Sequence, residues 1–286
     1  MRSFRILLVI HLFRPTQLKK LTPYIHTVIS SGCEVTTYVS VVDNNDELSR
    51  RILELIPDAH IITVDNNGYD IGPFFQVLQK INLDDFDYIV KFHTKDIRYG
   101  IMCNIGERII SRCQWADYLL DAVAGDAEIF KKNLSRFQQD PKLGMIASSY
   151  LTIKVSSDFS RSDLLKRLNI SQDVLNDSVF VAGTIFMVRS GLLKPLVENG
   201  CIIDQFQDTV FGIKGGTLAH DYEKILCQLI QNQGCEIKGF DRNIWKDIAT
   251  SKLVGLVKKF IFSKRVTSHG YLLVRFFMLP VYHKKI

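Results

Sequence analysis

Four short apolar stretches alternate with three helical patterns over residues 4–92, and that alternation restricts the fold more than any single motif. Phe4–His11 is a continuous apolar run, as expected of a strand covered on both faces. Glu34–Val42 is β-branched, His60–Val64 is short, and Tyr88–Phe92 carries a lone lysine, Lys91. Between them come Leu18, Leu21, Ile25 and Val28 after Pro15-Thr16, then Glu47–Leu55 up to Pro57, then Phe74, Val77, Leu78 and Ile81 after Gly72-Pro73. The β-α-β-α-β-α-β order predicts an α/β fold with a mainly parallel sheet and helices on both faces. Ligands of such sheets bind beyond the carboxyl ends of the strands. The polar tips at His11, Asp43–Asp46, Asp65–Asp70 and His93–Asp96 are therefore expected on one edge.

The second half is less regular. Helical patterns cover roughly 105–139, Leu143–Ser148 reads as a strand, and 178–190 reads as a strand interrupted by Gly183. Residues 215–230 read as a helix with Thr217 at its N-cap. From about Ser251 bulky apolar residues mix with lysine and arginine. The expected division is a domain of residues 1–245 and a helical C-terminal extension of 246–286. The segment holding Leu253, Val254, Leu256, Val257, Phe260 and Ile261 among Lys252, Lys258 and Lys259 suits an anionic membrane surface. It suits a terminal helix pair packed on the core equally well.

The net charge of +6 fits an anionic small molecule or a membrane surface as well as it fits nucleic acid. A nucleic-acid partner is disfavoured, because the positive charge is dispersed and no recognised nucleic-acid motif occurs. Six cysteines without a C-x-x-C pair argue for reduced thiols and against zinc. The opening apolar run is short, carries His11 and lacks a small-residue cleavage site, so a first strand is expected rather than a signal peptide. No stretch reaches the roughly 18 apolar residues of a membrane span.

The tips carry the candidate chemistry, and each has two readings. Asp43 is placed either to accept hydrogen bonds from a base or ribose, or to sit in a turn and helix cap. In residues 65–74, Asn67-Gly68 supplies a turn and Gly72-Pro73 opens a helix whose first amides suit an anion. Asp70, between the glycines, suits a sugar hydroxyl or a neighbouring lysine. His93-Thr94-Lys95-Asp96 is either a solvated turn or a cationic strand end that balances a diphosphate without a metal. Asp96 keeps a divalent cation, Mg or Mn, open. On the 215–230 helix, His220 and Glu223 lie opposite the stripe of Leu218, Tyr222, Ile225 and Leu229. They face solvent or a cleft; in a cleft, Glu223 or Asp221 is a general base with His220 assisting.

Taken in order, "VIHLFRPTQLKKLTPYI", "VDNNGYDIGPF", "DYIVKFHTKD", "DPKLGMIAS", "VAGTIFMVRSGLLKPL" and "LAHDYEKI" resemble the motifs of the rhamnan synthesis F family of bacterial glycosyltransferases. The likeness runs from about Ile6 to Ile230. That family is similar in layout to family 2 glycosyltransferases of the GT-A type, so the resemblance implies a GT-A-like sheet. It also implies donor-binding positions at His11, Asp43, Asn67, Gly68, Asp70, Gly72, His93, Thr94 and Lys95. Gly183 and Thr184 fall on the implied acceptor wall, and Glu223, Asp221 and His220 near the catalytic base. Three positions depart from the pattern: Tyr69 stands where an arginine is expected, Tyr222 precedes the glutamate, and Trp115 is followed by Ala116 rather than arginine.

The resulting expectation is an inverting transferase that moves a sugar, a deoxyhexose such as rhamnose by resemblance, from a nucleoside diphosphate to a lipid-linked surface polysaccharide. It requires no cofactor and works in the cytoplasm, peripherally on the inner face of the bacterial cytoplasmic membrane. The alternative is a non-catalytic nucleotide-sugar or carbohydrate-binding protein on the same fold.

Overall fold

The computed structural model describes residues 3–95, 102–105, 108–111, 115–155, 162–175, 177–199, 205–206, 217–239, 262–266, 271–277 and 279–285. The chain divides into two compact units, one of Met1–Asp96 with Ala116–Arg242, the other of Ile97–Trp115 with Asn243–Ile286.

The first unit begins with β1 (Arg5–His11), α1 (Leu18–Ile29), β2 (Glu34–Val41), α2 (Asp46–Leu55), β3 (His60–Thr63), α3 (Ile71–Leu78) and β4 (Tyr88–His93). Next in the chain, β5 (Met102–Ile105) and β6 (Arg108–Ser111) pair as an antiparallel hairpin in the second unit. The helical pattern expected from 105 onward is corrected there: helix starts only at α4 (Trp115–Ala124), followed by α5 (Ala127–Gln139). The first unit continues through β7 (Leu143–Ala147), β8 (Thr152–Lys154), α6 (Ser162–Arg167), α7 (Gln172–Leu175) and β9 (Val179–Val181). It ends with β10 (Phe186–Arg189), α8 (Lys194–Glu198), α9 (Leu218–Asn232) and β11 (Glu236–Gly239).

Seven strands form one sheet in the order β11-β7-β10-β4-β1-β2-β3. β1, β2, β3 and β4 are mutually parallel, as are β7 and β11, while β10 runs antiparallel between β4 and β7. Helices flank this sheet, which is the mainly parallel α/β arrangement expected. β1 lies at its centre with Ile6 to His11 all buried, because both of its faces are covered. On α1 the buried residues are Leu18, Leu21, Ile25 and Val28, the stripe predicted from spacing. The registers bring His11 beside both Ser40 of β2 and His93 of β4. The parallel strands thus end level, and their tips share one edge.

In the second unit, β12 (Phe262–Val266), β13 (Tyr271–Phe276) and β14 (Leu279–Lys285) form an antiparallel sheet. The expected helical C-terminal extension is corrected by these strands. Sequences such as "YLLVRF" are rich in β-branched and aromatic residues, which favour a pleated strand. Residues 251–261, read above as a membrane-surface segment, lie outside the described residues. Among the described residues no helix is long and apolar enough to cross a membrane.

Candidate active site

The floor of the site is a buried ion pair. Lys91, at the fourth position of β4, is 1% exposed, and its ammonium meets Asp70 Oδ2 at 2.5 Å, the Thr184 carbonyl at 3.0 Å and Thr184 Oγ1 at 3.1 Å. Those three acceptors match the three N–H donors of a lysine. The rings of Phe74 and Phe186 lie 5.5 and 5.8 Å from the same nitrogen. The Thr184 hydroxyl in turn donates to Asp70 Oδ2. Burial alone would raise the Asp70 carboxyl, but His93 beside it and the Lys91 and Lys95 ammoniums hold it well below the usual carboxylate range. Burial pulls the Lys91 ammonium down, with Asp70 opposing.

His93 ends β4 beside this pair. It is 3% exposed, its Nε2 lies 2.7 Å from the Gly183 carbonyl and its Nδ1 3.2 Å from the Thr94 carbonyl. Burial pushes the imidazole well below its ordinary value despite Asp70, whose Oδ2 lies 3.6 Å away. Lys91–Asp70 is the buried ion pair of this layer. His11 is also buried, with Nδ1 3.0 Å from Ser40 Oγ, and burial takes it down to about 4. Thr94 closes this layer: its amide donates to the His11 carbonyl at 3.1 Å and its hydroxyl accepts from the Arg14 amide at 3.2 Å.

Above the floor lies a layer that keeps some surface accessible. The Gly183 amide donates to Glu223 Oε1 at 2.7 Å, which brings α9 onto the turn between β9 and β10. Enough protein surrounds Glu223 that burial raises its carboxyl, against the opposing charge of Lys95. Lys95 crosses Gly183 so closely that a Cβ there would lie 2.9 Å from Lys95 Nζ and 2.8 Å from Leu119 Cδ1. Gly183 also has φ +104, so position 183 is closed to a side chain on two grounds. His220 Nδ1 lies 2.6 Å from Thr217 Oγ1, and its ring meets Tyr69 edge to face at 5.1 Å. Burial lowers the His220 imidazole.

Asp70, His93 and Lys95 come from two of the tips expected on one edge, and Gly183, Thr184, Glu223 and His220 gather with them. Three expectations are corrected. The α3 start does not present free amides: those of Ile71 and Gly72 both donate to the Gly68 carbonyl at 3.0 Å, Pro73 has none, and Phe74 donates to Asp70. Gly68 and Gly72 serve close packing instead; a Cβ on Gly72 would lie 2.1 Å from the Asn67 carbonyl, and one on Gly68 2.6 Å from the Phe206 ring. His93 does not present a donor to a diphosphate, since it is buried with both nitrogens against backbone carbonyls. Thr184 does not line an acceptor wall: it is 2% exposed, at φ 46, and turned into the ion pair. Thr217 takes the N-cap position expected, with its hydroxyl bonded to His220 rather than to a helix amide.

Asp43 is exposed on the tip after β2, where Asn45 caps α2 by accepting from the Leu48 amide at 2.9 Å. Asp221 is buried on α9. Asp96 lies outside the described residues. Lys91 was the residue the motif reading left without a role, although a single lysine inside an apolar strand was its visible signal.

A hard divalent cation prefers several oxygen ligands, and at this strand end Asp96 lies outside the described residues. His93 is committed to Gly183, and Lys95 brings positive charge. Among the described residues no three His, Cys, Asp or Glu side chains gather as metal ligands.

The chain belongs to the Rhamnan synthesis protein F family, which it matches over residues 1–235. It is 22% identical over 213 residues to the uncharacterized protein WxcX of Xanthomonas campestris pv. campestris (strain B100), covering 73% of this chain. The chain spans 28% of the length of that relative. Among solved structures, TarS of S. aureus overlays at TM-score 0.40 and 10% identity, covering 78% of this chain and 55% of the other. Glucosyl-3-phosphoglycerate synthase of Mycobacterium tuberculosis, in complex with Mn2+ and UDP-glucose, overlays at TM-score 0.35 and 9% identity, covering 99% and 89%. Overlays at this level assign no role to any residue here.

Proposed function

We propose that this chain is an inverting glycosyltransferase that moves a deoxyhexose such as rhamnose from a nucleoside diphosphate to a growing, lipid-linked surface polysaccharide. The observation that carries the reading is the meeting of Glu223 and Lys95 over the side-chain-free Gly183, above a floor fixed by Lys91 and Asp70. Membership of a rhamnan synthesis family supports the choice of sugar.

In this reading Glu223 takes the proton of the acceptor hydroxyl as its oxygen bonds to the anomeric carbon. The bond from that carbon to the diphosphate breaks, and the nucleoside diphosphate leaves with the electron pair. Burial makes Glu223 a stronger base than an exposed glutamate, and its Oε1 is steadied by Gly183. Lys95 offsets charge developing on the leaving group, where a positioned cation is worth more than in water. Asp43, on the tip after β2, is the candidate contact to the nucleoside.

The test is release of a nucleoside diphosphate from a panel of nucleotide sugars in the presence of saccharide acceptors. The wild-type chain should use one donor, and Lys95→Ala should turn it over about 100-fold more slowly with an unchanged circular dichroism spectrum. Equal turnover would remove Lys95 from the reaction. Nucleotide binding without release across the panel would favour the binding-protein alternative, to which Tyr69 against His220 lends its weight.

The basic, apolar residues 246–286 are the part we assign to the inner face of the cytoplasmic membrane, where a lipid-linked acceptor is met. Deleting the residues after 250 should abolish sedimentation with anionic vesicles. A truncated chain that still sediments would defeat that assignment.

A further inference from the structure

Glu223 of α9 and His93 of β4 come from different elements and meet at one residue. Gly183 donates its amide to Glu223 Oε1 at 2.7 Å and offers its carbonyl to His93 Nε2 at 2.7 Å. Glycine has the largest backbone freedom of any residue, so its two peptide groups hold a fixed orientation only when external partners impose it. On the far side of the turn the Thr184 carbonyl is held by Lys91, and before it the Ala182 amide donates to the Leu151 carbonyl at 2.8 Å. The peptide that carries the Gly183 carbonyl is held at one end by the Thr184 amide, which donates to the Val181 carbonyl at 3.1 Å, and at the carbonyl itself by the His93 side chain.

We propose that His93 is a positioning residue for Glu223, acting through the backbone of Gly183: its Nε2–H fixes the Gly183 carbonyl, and so fixes the amide that aims the Glu223 carboxylate. The inference rests on Glu223 being the base of the reading above. It assigns His93 a role other than binding the diphosphate. Its burial suits that role, because the Nε2 that faces the Gly183 carbonyl at 2.7 Å is screened from solvent. The charged groups acting on Glu223 are Lys95 and Lys91 from β4 and its end, and Asp70 from the start of α3. His220 lies one turn away on α9 itself.

The experiment follows the Glu223 carboxyl by 13C NMR titration, its resonance assigned by its loss in Glu223→Gln. In His93→Phe the carboxylate should lose the Gly183 hydrogen bond and titrate at higher pH than in the wild type. In His93→Gln, whose amide N–H can replace the lost donor, the titration should return toward the wild-type midpoint. An unchanged midpoint in a folded His93→Phe protein would overturn the proposal. Should neither variant fold, the wild type answers: the His93 Nε2 and Gly183 amide resonances should move through the Glu223 midpoint and stop doing so in Glu223→Gln. A His93 resonance indifferent to Glu223 would overturn the proposal equally. These readouts need no sugar transfer, so a flat result rejects the positioning role alone, and an inactive enzyme rejects the transferase reading alone.

Discussion

Replacing Lys91 by methionine is expected to destabilise the protein by about 3–5 kcal/mol, the cost of leaving a buried carboxylate without its partner. For a chain of this size that corresponds to a drop in Tm on the order of 10 °C. The cause is Asp70, whose low pKa depends on the cations around it and whose Oδ2 lies 2.5 Å from Lys91 Nζ. Methionine fills much the same volume between Phe74 and Phe186 but donates nothing. The doubly substituted protein, Lys91→Met with Asp70→Asn, should recover a large part of the loss, because no charge is then left unpaired and the amide oxygen still accepts from Thr184. Denaturant unfolding of the two single variants and the double variant measures this directly. Additive losses would show that the pair does not act as a unit.

The second large effect concerns chemistry rather than stability. Glu223→Gln should lower turnover by about 10²–10⁴-fold, the usual contribution of a positioned general base. Stability should change little, since a glutamine oxygen also accepts from the Gly183 amide. The pH profile supplies the sign. A base works unprotonated, and burial raises the Glu223 carboxyl above its ordinary 4.5. Turnover in the wild type should therefore rise with pH through that raised value, and the acid limb should vanish in Glu223→Gln. An intact limb in the variant would assign it to another group, with His220 or Asp221 next in line on the same helix.

The parallel order of β1 to β4 was legible because each strand is a short apolar run and each helix keeps a 3.6-residue stripe. Asp70 was legible as a partner for a lysine, though not for which one. Lys91 was hidden by its own placement: spacing shows that a lysine interrupts a buried strand, but not that a loop 21 residues earlier folds back over it. His93 was misread for a related reason, since its partner is a backbone carbonyl 90 residues away, and carbonyls leave no trace in sequence. The helix expected from 105 onward failed because short apolar runs do not distinguish strand from helix by period alone. The C-terminal strands failed the same way, their alternation blurred by lysines and arginines that suit an exposed strand as well as a helix.

The most direct test of the central claim is a calorimetric titration of the purified chain with nucleoside diphosphates and their sugars, in EDTA, using wild type and Lys95→Ala. A diphosphate site built on a protein cation predicts that one nucleotide binds the wild type in EDTA and binds Lys95→Ala at least about tenfold more weakly. No binding to any member, or equal binding to both proteins, would contradict it.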